Sequence, residues 1–108
     1  MRIDMPEIKK FAVLKIEKDF YDEFENATLT IYASAEITIN DEKVTFEEES
    51  TIYGLMDKDI NDIRTEIDGT ANGLTQYVKE KATKLINVIL AAKEHCESNN
   101  ISFDIKIV

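Results

Sequence analysis

With 108 residues, 44% of them hydrophobic, and a formal net charge of −9, the sequence already excludes several kinds of protein. The length suits one domain around one core, so we expect residues 1–108 to fold as a single domain, and the apolar content is too high for a disordered chain. No stretch approaches the ~20 apolar residues of a membrane span, and none resembles a signal peptide, which predicts a cytoplasmic protein without membrane contact.

The charge is unevenly distributed along the chain. Residues 17–68 carry 16 acidic and 4 basic side chains, whereas residues 1–16 and 69–108 are close to neutral. Such a field disfavours direct binding to nucleic-acid phosphates and favours a basic partner surface. Solubility alone is the other explanation for the same acidic segment.

The first predicted element is a strand over residues 8–17. Its apolar residues scatter around a helical wheel, but in a strand Ala12, Leu14 and Ile16 share one face while Phe11 and Val13 share the other. An acidic connector with Phe20, Tyr21 and Phe24 follows. Its aromatic side chains suit either the edge of a core or an exposed patch.

Residues 28–39 alternate between apolar odd and polar even positions, the period of a strand with one buried face. After a polar turn at residues 40–43 the alternation resumes over residues 44–53, so we predict an antiparallel hairpin. The predicted facing pairs are Ile39–Val44, Ile37–Phe46 and Ile31–Ile52.

This predicted register places polar residues on the apolar face. Glu48 lies opposite Ala35 and Ser50 opposite Ala33, which indicates either a solvated overhang or a shallow polar notch in a binding groove. On the other face Glu36 lies opposite Glu47. Like charges facing each other across strands are destabilising, so the pair suggests that the acidic face has a use.

Two helices and a final strand complete the predicted order. Asp57 to Asp68 predicts a short helix ended by Gly69. A long helix, beginning near Ala71 or Leu74 and ending near Ser98, carries an apolar stripe that Ile86, Val88 and Leu90 widen, so we expect a homo-oligomer through these three residues. Residues 101–107 alternate as a strand. The predicted fold is α+β, an antiparallel sheet in β-β-β-α-α-β order packed against one long C-terminal helix.

The motifs that carry chemistry are weak in this sequence. The Asp57–Asp68 segment resembles a calcium loop at its first, third and fifth positions but has Asp62 where the loop needs glycine. His95 and Cys96 are neighbours on a helix and do not face each other. We therefore expect no catalytic residues, no metal and no cofactor, and a protein that is not an enzyme.

From about residue 28 to the C-terminus the chain resembles the SecB-type protein-export chaperones. The resemblance rests on a long hairpin ending in Ser50-Thr51-Ile52-Tyr53-Gly54-Leu55, a short acidic helical segment, and Leu74-Thr75-Gln76-Tyr77-Val78-Lys79 opening the long helix. Gly54, Tyr77 and Lys79 match the family by position, whereas the family's proline before the tyrosine is Gln76 here. The resemblance implies an acidic, ATP-independent oligomer that holds unfolded polypeptides in apolar grooves.

Two functional hypotheses follow. The first is a holdase or adaptor that binds another protein through a basic or unfolded apolar surface. The second is an acidic decoy encoded by a phage or mobile element, a nucleic-acid mimic that inhibits a basic nucleic-acid-binding host protein. The candidate binding residues for the two hypotheses together are Tyr32, Ala33, Ala35, Glu36, Asp41, Glu42, Glu47, Glu48, Glu49 and Tyr53.

Overall fold

A computed structural model describes residues 2–18 and 24–108 of the chain. In this part of the protein the elements are, in order, β1 (Glu7–Lys18), β2 (Phe24–Ile39), β3 (Glu42–Ile52), a short 3-10 turn (Leu55–Asp57) and α1 (Ile60–Ser98). The α+β class and the antiparallel sheet packed against one long helix are confirmed. The predicted first strand over residues 8–17 is also confirmed.

The three strands form an antiparallel sheet in the order β1-β2-β3. A two-residue turn joins β2 to β3, and both of its residues, Asn40 and Asp41, have positive φ angles of 50° and 69°. These angles are those of a type I′ turn, whose twist matches the twist of the strands it connects. The turn therefore starts the ladder at the pair Ile39–Glu42.

The predicted hairpin register is wrong by two residues. Ile37 pairs with Val44 and Ala35 with Phe46, because the two-residue turn lies at Asn40 and Asp41, whereas the predicted pairs need a two-residue turn one position later or a four-residue loop. A shift of two keeps every side chain on its predicted face, since the side-chain period of a strand is also two.

The corrected register removes the predicted like-charge pair. Glu36 lies opposite Thr45, not Glu47, and its carboxylate accepts an ion pair from Lys43 Nζ at 3.2 Å. Glu47 lies opposite Ser34. The argument that repulsion between Glu36 and Glu47 indicates a function therefore fails.

The core lies between the inner face of the sheet and α1. On β2 every odd residue from Ile31 to Ile39 is buried, and on α1 the buried residues follow the predicted stripe: Leu74, Val78, Ala82 and Ile89. No polar or charged residue of the described chain is buried. The core thus depends on apolar packing alone.

The long helix is continuous from Ile60 to Ser98, which corrects the prediction of two helices separated at Gly69. Glycine inside a helix costs roughly 1 kcal/mol relative to alanine, too little to break a helix that is packed on both sides of it. Asp59 caps the first turn, since its side chain accepts hydrogen bonds from the backbone N–H groups of Asn61 and Asp62.

The helix ends where the sequence predicts. Asn100 adopts a left-handed conformation with φ 56°, and the N–H of Ile101 donates to the carbonyl oxygen of Cys96 at 2.9 Å. This is the hydrogen bond of a Schellman motif, in which one residue with positive φ reverses the chain after the last turn.

Residues 101–108 do not form the predicted final strand, because they join no ladder of the sheet. The alternation of the sequence nevertheless corresponds to alternating burial: Phe103, Ile105 and Ile107 are half-buried against the core. Alternation of apolar and polar residues indicates an extended segment with one buried side. That side can be buried without strand pairing.

The helix covers the sheet unequally. It packs mainly against β2 and β3 and touches β1 only marginally. The molecule is a thin two-layer slab, 71 by 25 by 15 Å. Within the described residues, no helix is both long and apolar enough to span a membrane.

Candidate functional site

The outer face of the sheet, turned away from α1, contains an open groove of about 400 Å³. Two adjacent rows of cross-strand neighbours build it: Phe11, Tyr32 and Glu49 in one row, and Lys9, Ser34 and Glu47 in the next. Ser34 is the smallest side chain in these rows and lies on the central strand. A small side chain between larger neighbours leaves a depression in the surface of the sheet. The residues lining this outer groove are Lys9, Phe11, Tyr32, Ala33, Ser34, Glu47, Glu48 and Glu49.

An aromatic pair forms one wall of the outer groove. The rings of Phe11 and Tyr32 lie 4.5 Å apart and 7° from parallel. Phe11 is 62% exposed although it stacks on its neighbour. Flat aromatic faces of this kind receive apolar side chains and, through the ring quadrupole, cations.

Carboxylates line the opposite side of the groove. Glu47 and Glu49 are exposed on β3 and point to the outer face, two residues apart and hence on the same side of the strand. Lys9 lies on β1 in the same row as Glu47, so the groove contains both positive and negative side chains. The outer groove thus combines an apolar wall with a mostly acidic rim.

Five of the predicted binding residues line this groove, namely Tyr32, Ala33, Glu47, Glu48 and Glu49. Glu36 belongs to the adjacent row, between Glu7 and Thr45, and forms an ion pair with Lys43 from the row beyond. Asp41 and Glu42 are exposed at the turn. Tyr53 is exposed just after β3 and is not among the residues that line the groove.

The predicted notch at Ala33 and Ala35 is not a binding surface. Both side chains face α1 and are only 2% and 0% exposed, so they offer a partner no side-chain surface, although Ala33 borders the outer groove. Their small size fits the sheet to a helix that presents the fully buried Ala82. Glu48 lies opposite Ala33, and Ser50 opposite Ile31, on an edge strand where both polar residues stay exposed.

Three residues of the outer groove, Lys9, Phe11 and Ser34, were not among the predicted site residues. The sequence does place Phe11 on the face of β1 opposite Ala12. Only the pairing Phe11–Tyr32 brings that face beside the candidate residues of β2. Phe20 and Tyr21 lie outside the described residues, and the side chain of Phe24 is likewise not described.

The predicted oligomer interface on α1 is split between two environments. Ile86 is half-buried against the core, whereas Val88 and Leu90 are 59% and 49% exposed. Cys96 is half-buried, and His95 lies exposed in the last turn. The predicted interface therefore has two accessible residues.

The acidic segment before α1 stabilises the first turn of that helix. Asp59, the third position of the apparent calcium loop, caps the helix, and Lys58 forms an ion pair with Glu66. In the described part of the chain, no cluster of three or more histidine, cysteine, aspartate or glutamate residues has the geometry to hold a metal ion.

Comparison with known proteins does not extend these observations, because no family model, no curated protein and no solved structure matches the chain.

Proposed function

We propose that this chain is a non-enzymatic polypeptide-binding domain, a holdase or adaptor of the SecB-like kind, that receives basic and apolar segments in the outer groove. The observation that carries the proposal is the stacked Phe11–Tyr32 pair facing Glu47 and Glu49 across an open depression. A cytoplasmic location is part of the same proposal.

The chemistry of the groove favours a side chain that is both apolar and cationic. An arginine or lysine stem packs on the aromatic faces while its charge approaches the carboxylates of β3. A cation over an aromatic ring contributes about 0.5–1 kcal/mol at an exposed site, so several such contacts along a segment are needed for useful affinity. An extended polypeptide supplies them.

The outer groove is open, which suits a partner that varies in sequence. Additional apolar side chains on the same face and on the neighbouring edge, such as Val13, extend the surface beyond the aromatic pair. Apolar contacts of this kind do not depend on direction, so they accept many segments.

The decoy hypothesis has less support from the arrangement of charges. A nucleic-acid mimic needs a surface of one sign, but Lys43 neutralises Glu36 and Lys9 lies in the same row as Glu47. The carboxylates of Glu47 and Glu49 lie beside an aromatic pair. This mixture fits a polypeptide better than a phosphate-binding surface.

The test is a binding titration with two synthetic peptides of equal length and apolar content, one carrying arginines and the other glutamates. We expect the basic peptide to bind more tightly at low salt and the preference to shrink as salt screens the charges. The double variant Glu47→Gln/Glu49→Gln should weaken binding of the basic peptide about fivefold to tenfold at low salt.

Two controls make the titration decisive. Glu94→Gln/Glu97→Gln changes the net charge equally on the exposed end of α1 and should leave affinity unchanged. Phe11→Ser should weaken both peptides at every salt concentration, because it removes an apolar wall. Failure of both peptides to bind at micromolar concentration would refute the proposal. Steeply salt-dependent binding to a folded basic protein, unaffected by Phe11→Ser, would support the decoy instead.

A further inference from the structure

Strand β1 is a sheet edge that carries apolar side chains on both faces. Phe11 and Val13 on the outer face are 62% and 48% exposed, and Leu14 and Ile16 on the inner face are each 53% exposed. Among the described residues, β1 has a strand partner on one side only, so it forms an edge of the sheet. An exposed edge of twelve residues with apolar side chains is a template for another strand.

The dimensions of the molecule indicate that such a surface is covered. A globular chain of this length has a radius of gyration of about 13 Å, whereas this one has 20.2 Å. Its accessible surface is 8,096 Å², against about 6,000 Å² expected for its mass. The excess is comparable to the area that a stable protein–protein interface buries.

We infer that two copies of the chain pair through β1 in antiparallel orientation. The two-fold axis that relates them is perpendicular to the sheet and lies midway between the two copies of Val13; we call this an axis at Val13. The two sheets then form one six-stranded sheet with both helices on the same side. A two-fold axis of this orientation keeps inner residues beside inner residues, so the residues that face each other differ by an even number of positions.

Charge favours this register over the two registers whose axis lies one residue away. With the axis at Val13, Lys9 faces Glu17 of the second copy, and symmetry repeats the attraction. Moving the axis to Ala12 places Lys9 opposite Lys15 and Glu7 opposite Glu17, four repulsive contacts by symmetry. Like charges directly opposite each other destabilise an antiparallel pair.

The two other nearby registers lose pairing. An axis at Leu14 places Lys10 opposite Lys18, whereas an axis at Phe11 places Glu7 opposite Lys15 and retains an attraction. Either axis shortens the ladder from eleven residues to nine within Glu7–Lys18. The Val13 register also matches the apolar residues, with Val13 beside its own copy on the outer face and Ala12 beside Leu14 on the inner face.

The opposite edge of the sheet is a poorer partner for β1. The outward-facing residues of β3 are Lys43, Thr45, Glu47, Glu49 and Thr51, so pairing β1 with β3 would place Phe11 and Val13 beside polar side chains. Pairing of β1 with a second β1 places apolar beside apolar at the centre of both faces, with Val13 beside Val13 and Ala12 beside Leu14, while Phe11 lies beside Lys15.

The decisive experiment is sedimentation of charge-swap variants over a range of concentration. We expect the unchanged protein to be a dimer at tens of micromolar. Lys9→Glu and Glu17→Lys should each weaken the dimer about tenfold, because each replaces two attractions with two repulsions. The double variant Lys9→Glu/Glu17→Lys should restore dimerisation, a rescue that misfolding cannot produce. Both residues are exposed, so the fold should survive.

Chemical cross-linking provides a second measurement with a matched control. In a Cys96→Ala background, Val13→Cys should be joined to its copy by a short bifunctional thiol reagent. Val88→Cys should not, although Val88 is the same residue type with a similar exposure of 59%. A monomer at the highest soluble concentration, a dimer indifferent to both charge swaps, or cross-linking through position 88 and not 13 would overturn the inference.

The inference is independent of the proposed function, because its readout is mass and not peptide binding. A monomer that still binds the basic peptide would remove the dimer and leave the function. A dimer that binds neither peptide would support the dimer and refute the proposed function.

Discussion

Strands β1 and β2 are neighbours in one sheet with similar shares of apolar residues, yet their environments are opposite. On β2 the odd residues from Ile31 to Ile39 are buried, whereas on β1 all residues except Ile8 are exposed. The helix crosses β2 and β3 and leaves β1 almost uncovered. Burial in this protein is therefore decided by distance from the helix more than by the composition of a strand.

The largest expected effect on stability comes from removing a large side chain from each of the two strands in turn. Ile37→Ala should lower the free energy of unfolding by about 2–5 kcal/mol, because Ile37 is completely buried and its loss leaves a cavity. Leu14→Ala, at a concentration low enough to keep the protein monomeric, should cost less than about 1 kcal/mol. Denaturant titration of both variants measures the difference. Equal losses would mean that the inner face of β1 is covered in the monomer.

A second test adds volume in place of removing it. Ala35→Leu should destabilise by about 1–3 kcal/mol, since there is no space between β2 and α1 for a larger side chain. Ala12→Leu on β1 should be nearly neutral, because Ala12 is exposed. Thermal unfolding of the two variants would distinguish them. A neutral Ala35→Leu would revive the predicted notch at that position.

A third, smaller effect concerns the turn that fixes β2 against β3. Asp41 has a positive φ of 69°, so Asp41→Ala should cost roughly 1 kcal/mol while Asp41→Gly should not destabilise the hairpin. The equilibrium stability of the two variants is the measurement. Equal stability would argue against the two-residue turn and hence against the observed register.

The smallest expected change lies on the helix that separates the two environments. Gly69→Ala should stabilise the protein by about 0.5–1 kcal/mol, because Gly69 is helical and an added methyl group meets no atom within 4 Å. Unfolding monitored by circular dichroism would show the gain. Destabilisation would indicate that the helix is interrupted there, as the glycine in the sequence first suggests.

Sequence periodicity predicted the sheet and the helical stripe because both patterns are local. The alternation over residues 28–39 and the spacing of Leu74, Val78 and Ala82 each report one buried face. The register was harder to predict, because the pattern is unchanged by a shift of two residues and only the φ angles of Asn40 and Asp41 decide between the registers.

The candidate site was only partly predictable, for a related reason. Tyr32, Glu47 and Glu49 lie on one face by alternation, but Phe11 joins them through the pairing of β1 with β2, which no local pattern specifies. Ala33 and Ala35 were misjudged because a small residue suits a groove and a close helix contact equally well. Only the packing of α1 against the sheet decides between these two roles.

The acidic residues of β3 have a consequence for how far a sheet of this kind can grow. Once two β1 strands are joined, the strand edges that the described residues leave for further ladder formation are two copies of β3, each bearing Glu42, Glu47, Glu48 and Glu49. Two such edges repel each other, and a charged edge is a recognised barrier to open-ended pairing. Glutamate-to-glutamine changes along β3 would lift that barrier, and the finite particle would become able to polymerise into fibrils.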